Sequence, residues 1–248
     1  RPEFADAYTY ASAINEAYAN DGIRKPRYHE YEMNAFKTGA YPQYYPNVNW
    51  VDEVFKDAAA TNIANMSLRG GGSKFRYFAM FNWVTDNGFI ANAKANDGYS
   101  TQNKSSKANL RTNLDIDLTP STKMTLNLLG TLAETNKPGD SADLWSMIYS
   151  LPATAFPVKT ENGLWGGNTT WDGTKNPVAQ SQAAAYTKGH NRSLYADMTL
   201  KQDLSSILPG LGAGFMLAYD NWASYVENHS KTYRYGSDNV QWKSGKPV

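Results

Sequence analysis

The stretch Lys107–Thr135, KANLRTNLDIDLTPSTKMTLNLLGTLAET, carries the cleanest pattern in the chain. Ala108, Leu110, Thr112, Leu114, Ile116 and Leu118 alternate with Asn109, Arg111, Asn113, Asp115 and Asp117, a period of two that belongs to a strand and not to a helix. After Thr119-Pro120-Ser121-Thr122 the alternation resumes, with Met124, Leu126, Leu128, Gly130 and Leu132 on one side and Lys123, Thr125, Asn127 and Thr131 on the other. The two arms read as a hairpin. Each arm, at about ten residues, is long enough to cross a bilayer as a tilted strand. One wet and one dry face is equally the rule for antiparallel sheets of soluble sandwiches, so the hairpin alone leaves both open.

Working outward, similar patterns predict strands over 62–69, 75–85, 192–204 and 211–222, beside 107–118 and 123–134 of the central hairpin. A further strand is expected around Glu227 to Tyr235. Connections are short after the first, third and fifth strands and long after the second and fourth. Transmembrane barrels sort their loops in this way, with short turns on one side and long excursions on the other. The expected fold class is all-β: part of an antiparallel transmembrane β-barrel with long extracellular loops that carry short helices.

Ahead of the strands, Asp6 to Asn20 places Tyr10, Ile14 and Ala17 at helical spacing and meets a stop at Asp21-Gly22. Further helices are expected from His29 to Lys37, ending before Gly39, and from Val51 to Ala58, with Asn49 as cap. The longest irregular segment, Asn136 to His190, has room for a helix near Ala142 to Ser150.

Composition narrows the function. Lys+Arg 24 against Asp+Glu 23, with no basic run, gives no footprint for nucleic acid. Cys 0 excludes a disulfide framework and thiolate metal sites. Tyr 17 and Trp 7 are numerous, and both ring types favour boundaries between apolar and wet surroundings. No run of about eighteen apolar residues suits a transmembrane helix. A mean hydropathy of -0.59 is compatible with a barrel, whose lumen face and loops are polar. The opening RPEFADAY has neither initiator Met nor signal peptide and is expected to be internal to a longer protein.

Catalytic signatures are lacking. Gly70 to Lys74, GGGSK, lies between two strands and does not have the order of a phosphate loop. His29, His190 and His229 stand apart, with no H-E-x-x-H pair. Asp115 and Asp117 share a strand face as part of its polar alternation, and no G-x-S-x-G elbow occurs. The sequence therefore predicts no catalytic residue, no metal site, no cofactor and no enzymatic step. The candidate binding residues are Trp145, Trp165, Trp171 and Tyr186 of the long loop. Such rings stack on sugars or grip a partner, and they equally serve to pack a loop against itself.

Several short motifs, in order, resemble the SusC/RagA family of TonB-dependent outer-membrane transporters. They are YPNVNWVDEVF (Tyr45 to Phe55), Leu68-Arg69-Gly70-Gly71, Lys74-Phe75-Arg76-Tyr77-Phe78, Asp86-Asn87-Gly88, Arg111-Thr112-Asn113-Leu114-Asp115, Asn176-Pro177-Val178-Ala179 and Pro209-Gly210-Leu211. The resemblance implies a bacterial outer-membrane barrel of which this chain is the early part. Residues 1–61 would be an extracellular region with short helices and 62–248 the first barrel strands, with the turns at Gly70, Pro120 and Ser206 facing the periplasm. It also implies import of oligosaccharides or peptides, a SusD-like surface lipoprotein as partner, the lipid bilayer as surroundings, and TonB contacted through a plug and box that this chain lacks. A secreted all-β carbohydrate-binding or adhesive protein is the main alternative, and a glycan-active enzyme a more distant one.

Overall fold

Six strands form one antiparallel sheet whose hydrogen-bonding order follows the chain: β1 (Thr61–Gly71), β2 (Phe75–Asp86), β3 (Lys104–Thr119), β4 (Thr122–Pro138), β6 (Ala185–Asp203) and β7 (Gly212–Ser230). Two short strands, β5 (Trp165–Gly166) and β8 (Tyr235–Gly236), pair in parallel outside it. These come from a computed structural model that describes residues 2–96, 98–139, 143–171, 176–239, 241–243 and 246–247. The chain is mostly β, with 44% in strands, and no helix among the described residues is long and apolar enough to cross a membrane.

The register turns the alternation read in each strand into two continuous faces. Leu114 stands between Tyr77 and Leu126, and the row continues to Met198 and Leu217. Neighbouring rows read Leu68, Ala79, Thr112, Leu128, Ala196, Tyr219 and Met66, Phe81, Leu110, Gly130, Leu194. The opposite face carries a ladder of amides and hydroxyls, with Phe78, Met80, Leu129, Tyr195, Met216 and Trp222 interspersed. Asn82 donates to Asn65, Asn109 Nδ2 to Asn82 at 3.2 Å, and Thr131 Oγ1 to Asn109 at 3.1 Å. One row set further along, Asn113 donates to Asn127, whose Nδ2 reaches Asp197 Oδ1 at 2.9 Å. Asp115 accepts the Thr125 hydroxyl at 2.8 Å and Asp117 pairs in register with Lys123, so both carboxylates belong to this ladder.

The six strands expected over 62–69, 75–85, 107–118, 123–134, 192–204 and 211–222 are present, and most are longer than their sequence pattern. β3 starts at Lys104, β4 runs on to Pro138, β6 begins at Ala185, and β7 continues to Ser230. Most of the added residues are polar, so the alternation fades while backbone pairing continues, although Tyr186, Tyr225 and Val226 lie among them. The expected loop Asn136 to His190 is correspondingly shortened at both ends, to the span between Pro138 and Ala185. The strand expected around Glu227 to Tyr235 is instead the end of β7 followed, after a gap, by β8.

The helices α1 (Ala7–Asn20), α2 (Glu30–Thr38), α3 (Trp50–Val54), α4 (Leu144–Ser150) and α5 (Pro177–Ala183) gather at the end of the sheet that bears the long connections. One core joins Trp50, Val51 and Val54 to Ile148, Leu151, Phe156 and Val178. A second joins Ala7 and Ala11 to Ala35, Phe36, Tyr45 and Ala153. Residues 1–61 therefore share their core with the loop between β4 and β6, and the two fold as one cap. Backbone bonds from Lys56 N to Phe89 O (2.7 Å) and Ala91 N to Val54 O (2.8 Å) tie it to the β2–β3 connection.

One helix expectation needs correction. The helix expected to Ala58 stops at Val54, because Phe55 takes extended geometry and bridges Ile90. In α1 the buried face is Ala7 and Ala11, while Ala17 is exposed. Small residues let α1 approach α2 closely, which the larger Tyr10 and Ile14 would prevent. The helix placed near Ala142 to Ser150 is α4, and Ala142 lies outside the described residues. At α2, His29 occupies the cap position and its backbone N–H donates to Glu32 Oε2 at 2.7 Å, with Gly39 closing the helix in the left-handed conformation.

Candidate functional site

The cap encloses a polar, ring-lined cleft of about 730 Å³. α1 contributes Tyr10, Ile14 and Tyr18, spaced one turn apart on the stripe next to its buried alanines. The α1–α2 connection adds Arg27 and Tyr28, the segment before α3 adds Gln43 and Tyr44, and the β4–β6 loop adds Thr154, Asn168 and Trp171.

Each wall is fixed by a specific bond. Asn15 clamps the backbone of Tyr28, accepting its N–H at 2.8 Å and donating to its carbonyl at 2.7 Å. The Tyr28 hydroxyl lies 3.1 Å from Thr154 Oγ1, and the Arg27 guanidinium lies over the Tyr28 ring at 5.1 Å. Asn168 donates to Ala155 O at 2.7 Å and accepts the Trp171 N–H at 3.1 Å, which sets the indole at the rim.

Burial pushes the Tyr10 phenol above its ordinary range, with Tyr28 adding to the shift and Arg27 opposing it. Tyr44 is raised too, by desolvation first and then by the Glu161 and Asp238 carboxylates and the bond its hydroxyl donates to Glu161. These phenols stay neutral at physiological pH and offer O–H donors beside flat apolar faces. Gln43 Oε1 is a buried acceptor with no hydrogen-bond partner among the described residues. No cluster of three or more His, Cys, Asp or Glu occurs among the described residues. The cleft is equipped to hold an uncharged, hydrogen-bonding molecule by stacking and amide contacts.

The four aromatic residues singled out in the sequence do not converge. Trp171 lines this cleft and also packs on the Val51–Ile148 core. Trp165 lies on β5, outside this cleft, where Lys159 Nζ sits 4.6 Å from its ring, Tyr233 meets it edge-on at 6.4 Å, and it packs on the Val51–Ile148 core as Trp171 does. Trp145 stacks on Phe55 at 4.7 Å along a separate, apolar cleft of about 680 Å³ with Phe89, Ile90 and Leu144. Tyr186 is on β6, not in the loop, with its ring 4.6 Å from His229 and 5.1 Å from Tyr99. Sequence reasoning missed Tyr10, Tyr28, Tyr44 and Gln43. Their one visible signal was the tyrosine repeat of α1 and the Tyr-Pro connector. Compared with known proteins, the chain matches no family model and no curated sequence.

Proposed function

We propose that this chain is part of an outer-membrane β-barrel transporter of the kind the SusC/RagA resemblance implies, importing an oligosaccharide or peptide without chemical conversion. One observation supports it above others: the apolar face of the sheet is uncovered. Met66 is 68% exposed and Phe215 and Leu217 are each 58% exposed. The row from Leu68 to Tyr219 crosses all six strands, that of Phe215 runs through Leu200, Met124 and Ile116 to Phe75, and that of Met66 stays apolar to Leu194 and ends at Asn221. Contiguous apolar area of this extent needs a covering layer, and lipid supplies one. The band along β3 from Ala108 to Leu118 spans about 25 Å once strand tilt is allowed for, the height of the lipid-facing belt of barrels.

Two further features agree. Trp83 lies in the last apolar row and its indole N–H points to Ser106 Oγ, 3.3 Å away in the first polar row, as interfacial tryptophans do. The short connections all leave one end of the sheet and the helical cap occupies the other. In this arrangement the Asn-rich ladder faces the lumen, the cap lies outside the cell, and its cleft meets arriving nutrient or a SusD-like lid. β1 and β7 are open edges that the remaining barrel strands complete.

The test is uptake of fluorescent oligosaccharide and peptide pools by cells with and without the intact protein, repeated with an uncoupler. Uptake that requires both the protein and the proton-motive force is expected. Equal uptake without the protein overturns the proposal, and binding by a secreted, lipid-free form favours the carbohydrate-binding or adhesive alternative.

A further inference from the structure

Along β6 the apolar face changes character abruptly. Leu194, Ala196, Met198 and Leu200 give way to Arg192, His190 and Lys188, all on the same side of the strand because its side chains alternate. Arg192 stands in the last apolar row, between Leu132 of β4 and Ala223 of β7. It is exposed, and it has no ion-pair or hydrogen-bond partner among the described residues. Two acids share this face without pairing with Arg192: Glu227 stands in register opposite Lys188, and Glu134 opposite His190. Glu134 Oε1 lies 3.4 Å from His190 Nδ1, and Glu227 accepts the Tyr225 hydroxyl at 3.0 Å and lies 3.6 Å from His229. Aromatic rings fill the rows beside these cations: Tyr225 lies parallel to His190 at 5.8 Å, and Lys188 Nζ sits 5.0 Å from the Tyr186 ring.

A free guanidinium directly above an uncovered apolar strip is complementary to one kind of molecule, an anionic head group carried on acyl chains. The guanidinium presents a fork of donors that matches phosphate oxygens. The strip from Leu194 to Leu200 would lie along the chains. A free phosphate has no use for the strip, and a neutral lipid none for the cations. We propose that Arg192, assisted by Lys188, holds the head-group phosphate of a membrane lipid at the cap-side boundary of the apolar band. The site rests on the membrane-spanning arrangement above. It fixes the depth of the sheet in the bilayer at the strand that leads out of the cap.

The experiment is native mass spectrometry of the intact protein released from nanodiscs, offered a short-chain phosphatidate, the matching diacylglycerol, or inorganic phosphate. Wild type is expected to retain phosphatidate over diacylglycerol. Arg192→Ser should lower that retention about fivefold, and adding Lys188→Ser should lower it roughly fivefold again, as for cations near a lipid surface. Arg192→Lys should retain more than Arg192→Ser, and Arg111→Ser on the opposite face should match wild type. Equal retention by Arg192→Ser and Arg111→Ser overturns the site, as does inorganic phosphate displacing the lipid at equal concentration. Failure of the protein to enter nanodiscs overturns the membrane arrangement and the site with it.

Discussion

Leu126 and Asn127 are consecutive on β4 and belong to opposite worlds: Leu126 lies between Leu114 and Met198, Asn127 between Asn113 and Asp197. In lipid, a charge at the first position is desolvated and at the second is not. Leu126→Arg should cost about 2–4 kcal/mol and Asn127→Arg much less, even though Asn127 gives up its bond to Asp197. Folding titrations of the intact barrel in detergent or lipid measure both, and equal costs would contradict the assignment of faces.

Two glycines should respond oppositely to added side chains. Gly130 sits in an apolar row with nothing within 4 Å of the place a Cβ would take, so Gly130→Val is expected to be neutral or stabilising by up to about 1 kcal/mol. At Gly139, where β4 meets the cap, a Cβ would stand 2.0 Å from Ala184 O. Gly139→Ala must displace backbone and should lower the melting temperature of the cap measurably.

Trp171 and Trp165 separate recognition from packing. Trp171→Ala should weaken nutrient binding by roughly 1–3 kcal/mol with the barrel still heat-stable. Trp165→Ala should cost about 3 kcal/mol of cap stability and leave the affinity of the folded fraction unchanged. Calorimetric titration with oligosaccharide and peptide pools, beside thermal unfolding of each variant, tells the two roles apart.

The strands were legible in the sequence wherever one face is apolar and the other polar, which is why Leu114 and Leu126 could be assigned to apolar faces of one hairpin from alternation alone. Their outer ends were not. Residues such as Ser105, Asn136 and Thr187 are polar on both faces, and only hydrogen bonding to the neighbouring strand holds them extended. The cap was legible as helices but not as a unit. Its core depends on Val54 meeting Ile148 and Val178, residues 94 and 124 positions further along the chain, which no local period encodes. The cleft was missed for a related reason. Helical spacing showed Tyr10, Ile14 and Ala17 as periodic positions of α1, but close packing against α2 buries Ala7 and Ala11 and leaves Tyr10 and Ile14 to line a cavity.

Asp6 caps α1 by accepting the Thr9 N–H at 2.7 Å. That backbone bond, reinforced by the Thr9 hydroxyl, holds its carboxyl below the ordinary aspartate range. Because the folded pKa lies below the unfolded one, the stabilisation is complete above the unfolded value and fades as pH falls through the folded one. Asp6→Ala should cost about 1 kcal/mol near neutral pH, and the difference from wild type should shrink in acid. A constant difference across that range would remove Asp6 from the cap's pH response.

The central claim is that the apolar face of the sheet lies against lipid, and it is directly measurable with lone cysteines, because these 248 residues contain none and any elsewhere in the intact protein can be replaced by serine. In the intact protein in bilayers, Leu126→Cys and Asn127→Cys would each carry a single polarity-sensitive fluorophore. With spin labels on the acyl chains, the probe at position 126 should emit as in hydrocarbon and be quenched, while the probe at 127 should do neither. Equal quenching at both positions, or none at either, would contradict the account.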